Sequence, residues 1–257
     1  MIPWTLLYQS VGGAIITSLF YLAFVIGTKS DGYFQSGREV PLKYAKTILP
    51  SVLLLYLVPT VAMYLPWNNA ELTQNLTAFW QPAPLLVNIL LLALSAIVGN
   101  TPPSSIKTSE VKPTSTRGAD IKHLNRIYLS VFLVTAITHI STLFICLTSA
   151  NPKLSFKYIF VPDRQTWMST TTLGLHYIFQ WDFWGIFLSS LIWCWMSVLD
   201  IQRIMGCQSF LAGLKSFVIM SLGSVLIGPG AVMAIVWWWR EAKLEEIEQM
   251  LSKPKSN

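Results

Sequence analysis

The sequence predicts an all-α chain, a polytopic transmembrane helix bundle of about seven spans. Three observations predict it. Of the 257 residues, 53% are hydrophobic and 12% are charged, about half the charged share of a soluble domain, near 25%. The apolar residues collect in runs close to the ~20 residues that a helix needs to cross a bilayer. Those runs are continuous and lack the two-residue alternation of a transmembrane barrel. In lipid only helices and closed barrels satisfy every backbone group, so the runs read as helices.

Taken in order, the spans are expected at Val11–Thr28, Thr47–Leu65, Ala83–Val98, Ile127–Thr148, Trp181–Ile201, Ser209–Leu226 and Ala231–Lys243. Met1 to Leu7 has no basic n-region of the kind a secretory peptide carries, so the first run reads as a retained span. Prolines, serines and threonines make residues 100–122 a flexible cytosolic loop. Gly228-Pro229-Gly230 predicts a tight lumenal turn, because proline removes a backbone donor and glycine permits positive φ, with a broken helix at membrane depth, marking a cavity, as the alternative. From about residue 241 to 257 apolar residues recur at helical spacing among charges, which predicts an amphipathic tail. No repeat of fixed period is present, and residues 1–257 read as a single integral membrane domain.

Charge sets the expected orientation. Lys29, Arg38, Lys43 and Lys46 precede the second span, and Lys107, Lys112, Arg117, Lys122 and Arg126 precede the fourth. Pro66 to Pro82 holds no basic residue. The positive-inside rule then gives a lumenal N-terminus and a cytosolic C-terminus, where Lys243, Lys253 and Lys255 agree. Lys215, early in the sixth span, is near enough to the cytosolic face to snorkel. Lys153, Lys157 and Arg164 fall on the outer side and run against this orientation. Asn75-Leu76-Thr77 is an N-glycosylation sequon in the expected lumenal loop. The net charge of +6 sits in these loops, so the expected partner is the lipid bilayer and not nucleic acid. Cys146, Cys194 and Cys207 lie in or beside apolar runs and read as small apolar residues, with no disulfide and no metal site.

Ionisable groups inside spans are costly and therefore mark candidate sites. Asp182 stands first, at the entry to the fifth span. Tyr177, Trp181 and Trp184 recur at i, i+4 and i+7 around it. A carboxyl group pressed among aromatic rings loses hydration, which favours its neutral acid form, and aromatic faces stabilise cations. The bland alternative is an interfacial aromatic belt with Asp182 capping its own helix. Glu241 could serve as a second acid or base, with Arg240 and Trp238 beside it to hold a polar group. The alternative there is an interface belt with a snorkelling arginine. Asp200 reads as a helix-terminal ion pair with Arg203, and it lies roughly 27 Å along one helix from Asp182. His139, near the middle of the fourth span, must find a partner, either as a base or as a structural hydrogen bond. His176 is placed to orient Asp182. Glu71 reads as solvated. His123 falls in a loop.

Several chemistries lack their residues. There is no aspartate-rich cluster for a magnesium-bound diphosphate, no HExxH, no P-loop, no GxGxxG and no histidine box. No cofactor and no metal are expected.

Phe179-Gln180-Trp181-Asp182, Thr138-His139-Ile140, and Gly228-Pro229-Gly230-Ala231 leading to Trp238-Trp239-Arg240-Glu241 resemble the fungal integral-membrane terpene cyclases of meroterpenoid biosynthesis. The likeness is to the ascofuranone type, with the pyripyropene type as a comparable group. It runs from the fourth span to the C-terminus. The first half matches by length and hydropathy. The resemblance implies metal-free cyclisation: an acid protonates an epoxide or alkene on a prenyl chain, and the cation closes rings. By chemistry Asp182 is the first choice of acid and Glu241 the second. Tyr177, Trp181 and Trp184 would shield cations, and Arg240 would hold the phenolic or carboxyl head of a lipophilic prenylated substrate. Residence in the endoplasmic reticulum membrane is also implied. Two other classes stand beside it. A sterol-isomerase-like enzyme needs the same acid and rings. A transporter or pathway scaffold needs neither, although only one clear helix break, at Gly228 to Gly230, speaks for a transporter.

Overall fold

The computed structural model describes residues 2–30, 33, 40–99 and 118–252. Every regular element among them is helical, as the apolar runs require. Most of the expected loop 100–122, including Lys107, Lys112 and Arg117, lies outside the described residues. So do Arg38 and the end of the tail with Lys253 and Lys255.

The first expected span, Val11–Thr28, is one helix from Gly13 to Gly27, and a second helix precedes it. Gly12, at φ 118°, separates α1 (Ile2–Val11) from α2 (Gly13–Gly27). The described residues then divide into two compact units, Met1–Ser10 with Glu39–Ile127, and Val11–Arg38 with Tyr128–Asn257.

In the first unit α3 runs over Leu42–Tyr64. It carries a π-helical turn at Leu53–Leu57, between Pro50 and Pro59. Each proline takes one N–H out of the i→i−4 ladder. The ladder widens locally, and the Val58 N–H reaches the Leu53 carbonyl. Pro66 to Pro82, expected as a loop, contains a helix, α4 (Ala70–Trp80), followed by α5 (Ala83–Gly99) at a bend of 59°. The Asn69 side chain starts α4 by accepting the Leu72 N–H at 3.0 Å. Trp80 Nε1 ties α4 to α3 through Thr60 Oγ1 at 2.8 Å. Asn75 is therefore exposed on a helix and not in a loop, and exposed Glu71 occupies the first turn of that helix.

The second unit holds most of α6 (Ile121–Thr148), the short α7 (Phe156–Phe160) and α8 (Arg164–Trp167), then α9 (Thr171–Ile204), α10 (Phe210–Leu226) and α11 (Pro229–Ser252). Thr170 and Ser209 cap α9 and α10 by accepting the N–H groups of Leu173 and Ala212. The expected turn between α10 and α11 is present. Gly228 takes φ 99°, and Pro229 opens α11, where its missing N–H is not needed. α9 is the organising helix, since α2, α10 and α11 all pack on it. Its Cys194 and Val198 form a core with Met220 of α10 and Val232 and Val236 of α11. Further along, Ile201 meets Leu244 and Ile247.

The expected count of seven spans is not reached. Among the described residues three helices, α3, α6 and α9, are long and apolar enough to cross a membrane, and the bent pair α4–α5 makes up to four. α2 and α10, with 15 and 17 residues, reach only about 22 and 25 Å, against a hydrocarbon core of about 30 Å. α11 has the length but not the composition, because Arg240, Glu241, Lys243 and three further glutamates follow its apolar first half.

Candidate functional site

α9 begins at Thr171, well before the expected Trp181. Asp182 is thus roughly 17 Å inside the helix, too deep to cap it. It caps a different helix. Its Oδ1 accepts the N–H of Ala14, in the first turn of α2, at 3.0 Å. The positive φ of Gly12 and the close approach of Gly185 to Ala14 let the two backbones come together there. A helix begins with N–H groups that have no partner in their own helix, and Asp182 supplies an acceptor for one of them from outside.

The expected aromatic cage around Asp182 does not form. Tyr177, Trp181 and Trp184 do share a stripe of α9. A helix turns about 100° per residue, so Asp182 points well away from that stripe. Trp181 is 54% exposed. Tyr177 stacks on Trp167 at 5.8 Å. Trp184 donates from Nε1 to the Phe160 carbonyl at 2.7 Å.

His176 does not orient Asp182 either. With Gln180 and Trp184 it forms an i, i+4, i+8 row that holds the C-terminal carbonyls of α7. His176 Nε2 donates to Tyr158 O at 2.9 Å. Gln180 Nε2 reaches the carbonyls of Tyr158, Ile159 and Val161 at 2.8, 3.1 and 3.2 Å. The last carbonyls of a helix lack partners within it, and this row provides them. Beside it lies a cleft of about 210 Å³, lined among others by Lys157, Asp163, His176, Tyr177 and Gln180.

His139 has the structural partner. Its Nε2 lies 3.0 Å from the carbonyl of Val225, near the end of α10. A carbonyl only accepts, so Nε2 carries the proton in this bond. The His139 ring covers the turn so closely that a Cβ on Gly228 would fall 2.8 Å from it.

Arg240 does not snorkel. It is 4% exposed, 3.2 Å from Glu241 Oε1, and its guanidinium lies 4.7 Å from the Trp237 ring and 6.0 Å from that of Tyr33. Half-buried Trp238 is not the ring it meets. Asp200 and Arg203 form the expected ion pair at 3.6 Å, with both side chains well exposed. The structure brings Arg240 and Glu241 together, and Asp182 and Ala14, but no described contact joins Asp182 to Glu241. Among the described residues no three His, Cys, Asp or Glu side chains meet as a metal site, and all three cysteines are free.

The family profile of the CtvD domain matches residues 1–244. The chain belongs to the CtvD-domain family. With the relative that follows, the match supports a protein of fungal secondary metabolism. A curated relative, the FAD-dependent monooxygenase verC1 of Penicillium polonicum, is 22% identical over 237 residues. The match takes in 91% of this chain but only 27% of verC1, so the chain spans about a quarter of that relative's length. No solved structure matches.

Two features of this CtvD-domain chain escape the sequence. Gln180 draws no attention as one polar residue among aromatics, although its place four residues from His176 and from Trp184 is the available signal. The packing of Tyr21, Phe24, Trp193 and Trp237 against one another joins three helices distant in sequence, and no local pattern announces it.

Proposed function

We propose that the chain is a membrane-bound terpene cyclase that protonates an epoxide or alkene on a prenylated meroterpenoid precursor and lets the resulting cation close rings. Asp182 carries this reading. It is a carboxyl group inside a helix long enough to cross the membrane, and no cation pairs with it among the described residues. Its Oδ1 is held by the Ala14 N–H, which leaves Oδ2 to carry and deliver the proton. After delivery the negative charge lies at the N-terminus of α2, where the helix dipole favours it. Glu241, already paired with Arg240, is the poorer acid, and the pair suits an oxygenated head group better than a proton transfer to a prenyl chain.

The monooxygenase relative supports the same order of events. Flavin monooxygenases place an oxygen atom on substrates, and on an alkene this gives an epoxide. A unit that opens epoxides, joined to such an enzyme in one polypeptide, would consume its product. This chain does not itself fit a flavin. It has no GxGxxG, and its described residues contain no strand to build the βαβ unit that holds a dinucleotide. No flavin step is assigned to it. On this reading the chain works in the endoplasmic reticulum membrane on a lipophilic substrate drawn from the bilayer.

The test is a microsomal assay in a host without terpenoid clusters. An epoxyfarnesyl-phenol is supplied, and wild type is compared with Asp182→Asn by mass spectrometry. A new isomer of unchanged mass, absent from the variant, is expected. The same isomer from Asp182→Asn removes Asp182 as the acid. No isomer from folded wild-type protein with several such substrates turns the reading to a transporter or scaffold.

A further inference from the structure

We propose that the junction of α2, α9 and α11 binds the oxygenated head group of the substrate, with the indole N–H groups of Trp193 and Trp237 as donors. This deepens the cyclase reading and rests on it for the choice of ligand. Trp193 stacks on Tyr21 at 4.2 Å and meets Trp237 at 4.5 Å, with Phe24 edge-on to both at 5.3 and 6.0 Å. Trp193 is 7% exposed. The Nε1 atoms of both tryptophans are buried without a conventional hydrogen-bond partner among the described residues. The Trp237 N–H is directed to the Cys194 thiol, a weak acceptor.

An indole N–H can only donate, and a buried donor left unmade is costly, most of all in a membrane. Folded proteins leave few of them, and each asks for an explanation such as a missing ligand. Phenylalanine could fill either ring position without leaving a donor. One buried donor without a partner and a second with only a thiol acceptor, on touching rings, therefore point to an acceptor that arrives from outside. Arg240, ion-paired with Glu241 at 3.2 Å, adds a buried guanidinium 4.7 Å from the Trp237 ring. Flat aromatic walls, two N–H groups and a guanidinium complement one kind of ligand, an aromatic ring bearing carbonyl or carboxylate oxygens. The hydroxyl of Tyr21, whose ring stacks on Trp193, is already joined to Ser190 at 2.9 Å.

The test measures binding by the full chain in nanodiscs, without turnover. Two probes differ only at the head, a farnesylated hydroxybenzoate and farnesylbenzene. With 15N-labelled tryptophan, the hydroxybenzoate is expected to shift two indole N–H resonances, those lost in Trp193→Phe and Trp237→Phe. Each variant is expected to bind the hydroxybenzoate about tenfold more weakly, the loss of one good hydrogen bond, and to bind farnesylbenzene as wild type does. Equal binding of both probes with no indole shift overturns the proposal, and so does hydroxybenzoate binding that neither variant weakens. Where a variant does not fold, the indole shifts of the wild-type chain decide alone. Binding without isomerisation would sink the cyclase reading and leave this site standing. Isomerisation with unmoved indoles would do the reverse.

Discussion

Gly185→Ala is expected to unseat Asp182 by adding a single methyl group. An ideal Cβ on Gly185 falls 2.5 Å from the Cβ of Ala14. Carbon atoms rest at about 3.5–4.0 Å, so α2 and α9 must part by roughly 1 Å at that point. Asp182 lies one turn away on α9, and it holds the Ala14 N–H at 3.0 Å. A parting of about 1 Å takes that bond beyond hydrogen-bonding range. Overpacking costs about 1–3 kcal/mol, and losing a hydrogen bond to a carboxylate costs a further ~1.5–3 kcal/mol. Because one displacement produces both effects, the combined loss is about 2–4 kcal/mol. At roughly 2–4 °C per kcal/mol for a chain of this size, the apparent melting temperature should fall by about 4–16 °C. Heating a fluorescently tagged protein in detergent and following the surviving size-exclusion peak reads this directly. The structure also supplies the rescue. With Ala14→Gly the next atom in the path is the Ala14 Cα at 3.5 Å, an ordinary contact. Ala14→Gly alone costs about 0.5–1 kcal/mol, yet the double variant should be more stable than Gly185→Ala. The reasoning fails if Gly185→Ala melts like wild type. It fails equally if the double variant loses the sum of the two single losses.

Two further outcomes follow from the second unit. Gly228→Ala meets both a positive φ of 99° and the His139 ring at 2.8 Å, whereas Gly206→Ala meets a φ of 68° with nothing within 4 Å. The first should cost about 2–4 kcal/mol and the second about 1 kcal/mol, and equal melting temperatures for the two variants would refute the close packing of His139 on the turn. Gln180→Leu strips the side-chain donor from three carbonyls at the end of α7, at a cost of about 1–3 kcal/mol. Hydrogen exchange and protease cleavage should rise over residues 152–168 first, and a uniform rise along the whole chain would refute the clamp.

Helical class was legible because it depends only on the length of apolar runs. The number of spans was not, because a hydropathy window counts apolar residues and does not see where a helix breaks or where its charges begin. Gly12 cuts the first run short, and Arg240 and Glu241 end the apolar part of α11 after its first three turns. α4 was missed for the opposite reason, since its mixed polar and apolar residues fill too few turns to register as a span. The turn at Gly228-Pro229-Gly230 was readable from those three residues, because their backbone requirements are local.

The site shows where a local reading stops. Spacing alone correctly put Tyr177, Trp181 and Trp184 on one stripe of α9, and the same arithmetic excludes Asp182 from it. Adjacent residues on a helix diverge by about 100°, so closeness in sequence to Trp181 counts against a shared face. What Asp182 faces depends on α2, more than 150 positions earlier, and on a glycine at 185 that admits it. The burial of Arg240 likewise depends on Tyr33 and Trp237 closing over it, where the sequence offered only an arginine after tryptophans. The carboxyl group of Asp182 at a helix start is a product of α2 packing onto α9. The surroundings of Asp182 are therefore set by which face of that one helix α2 covers, and the Gly185 and Ala14 pair tests the contact on which its position depends.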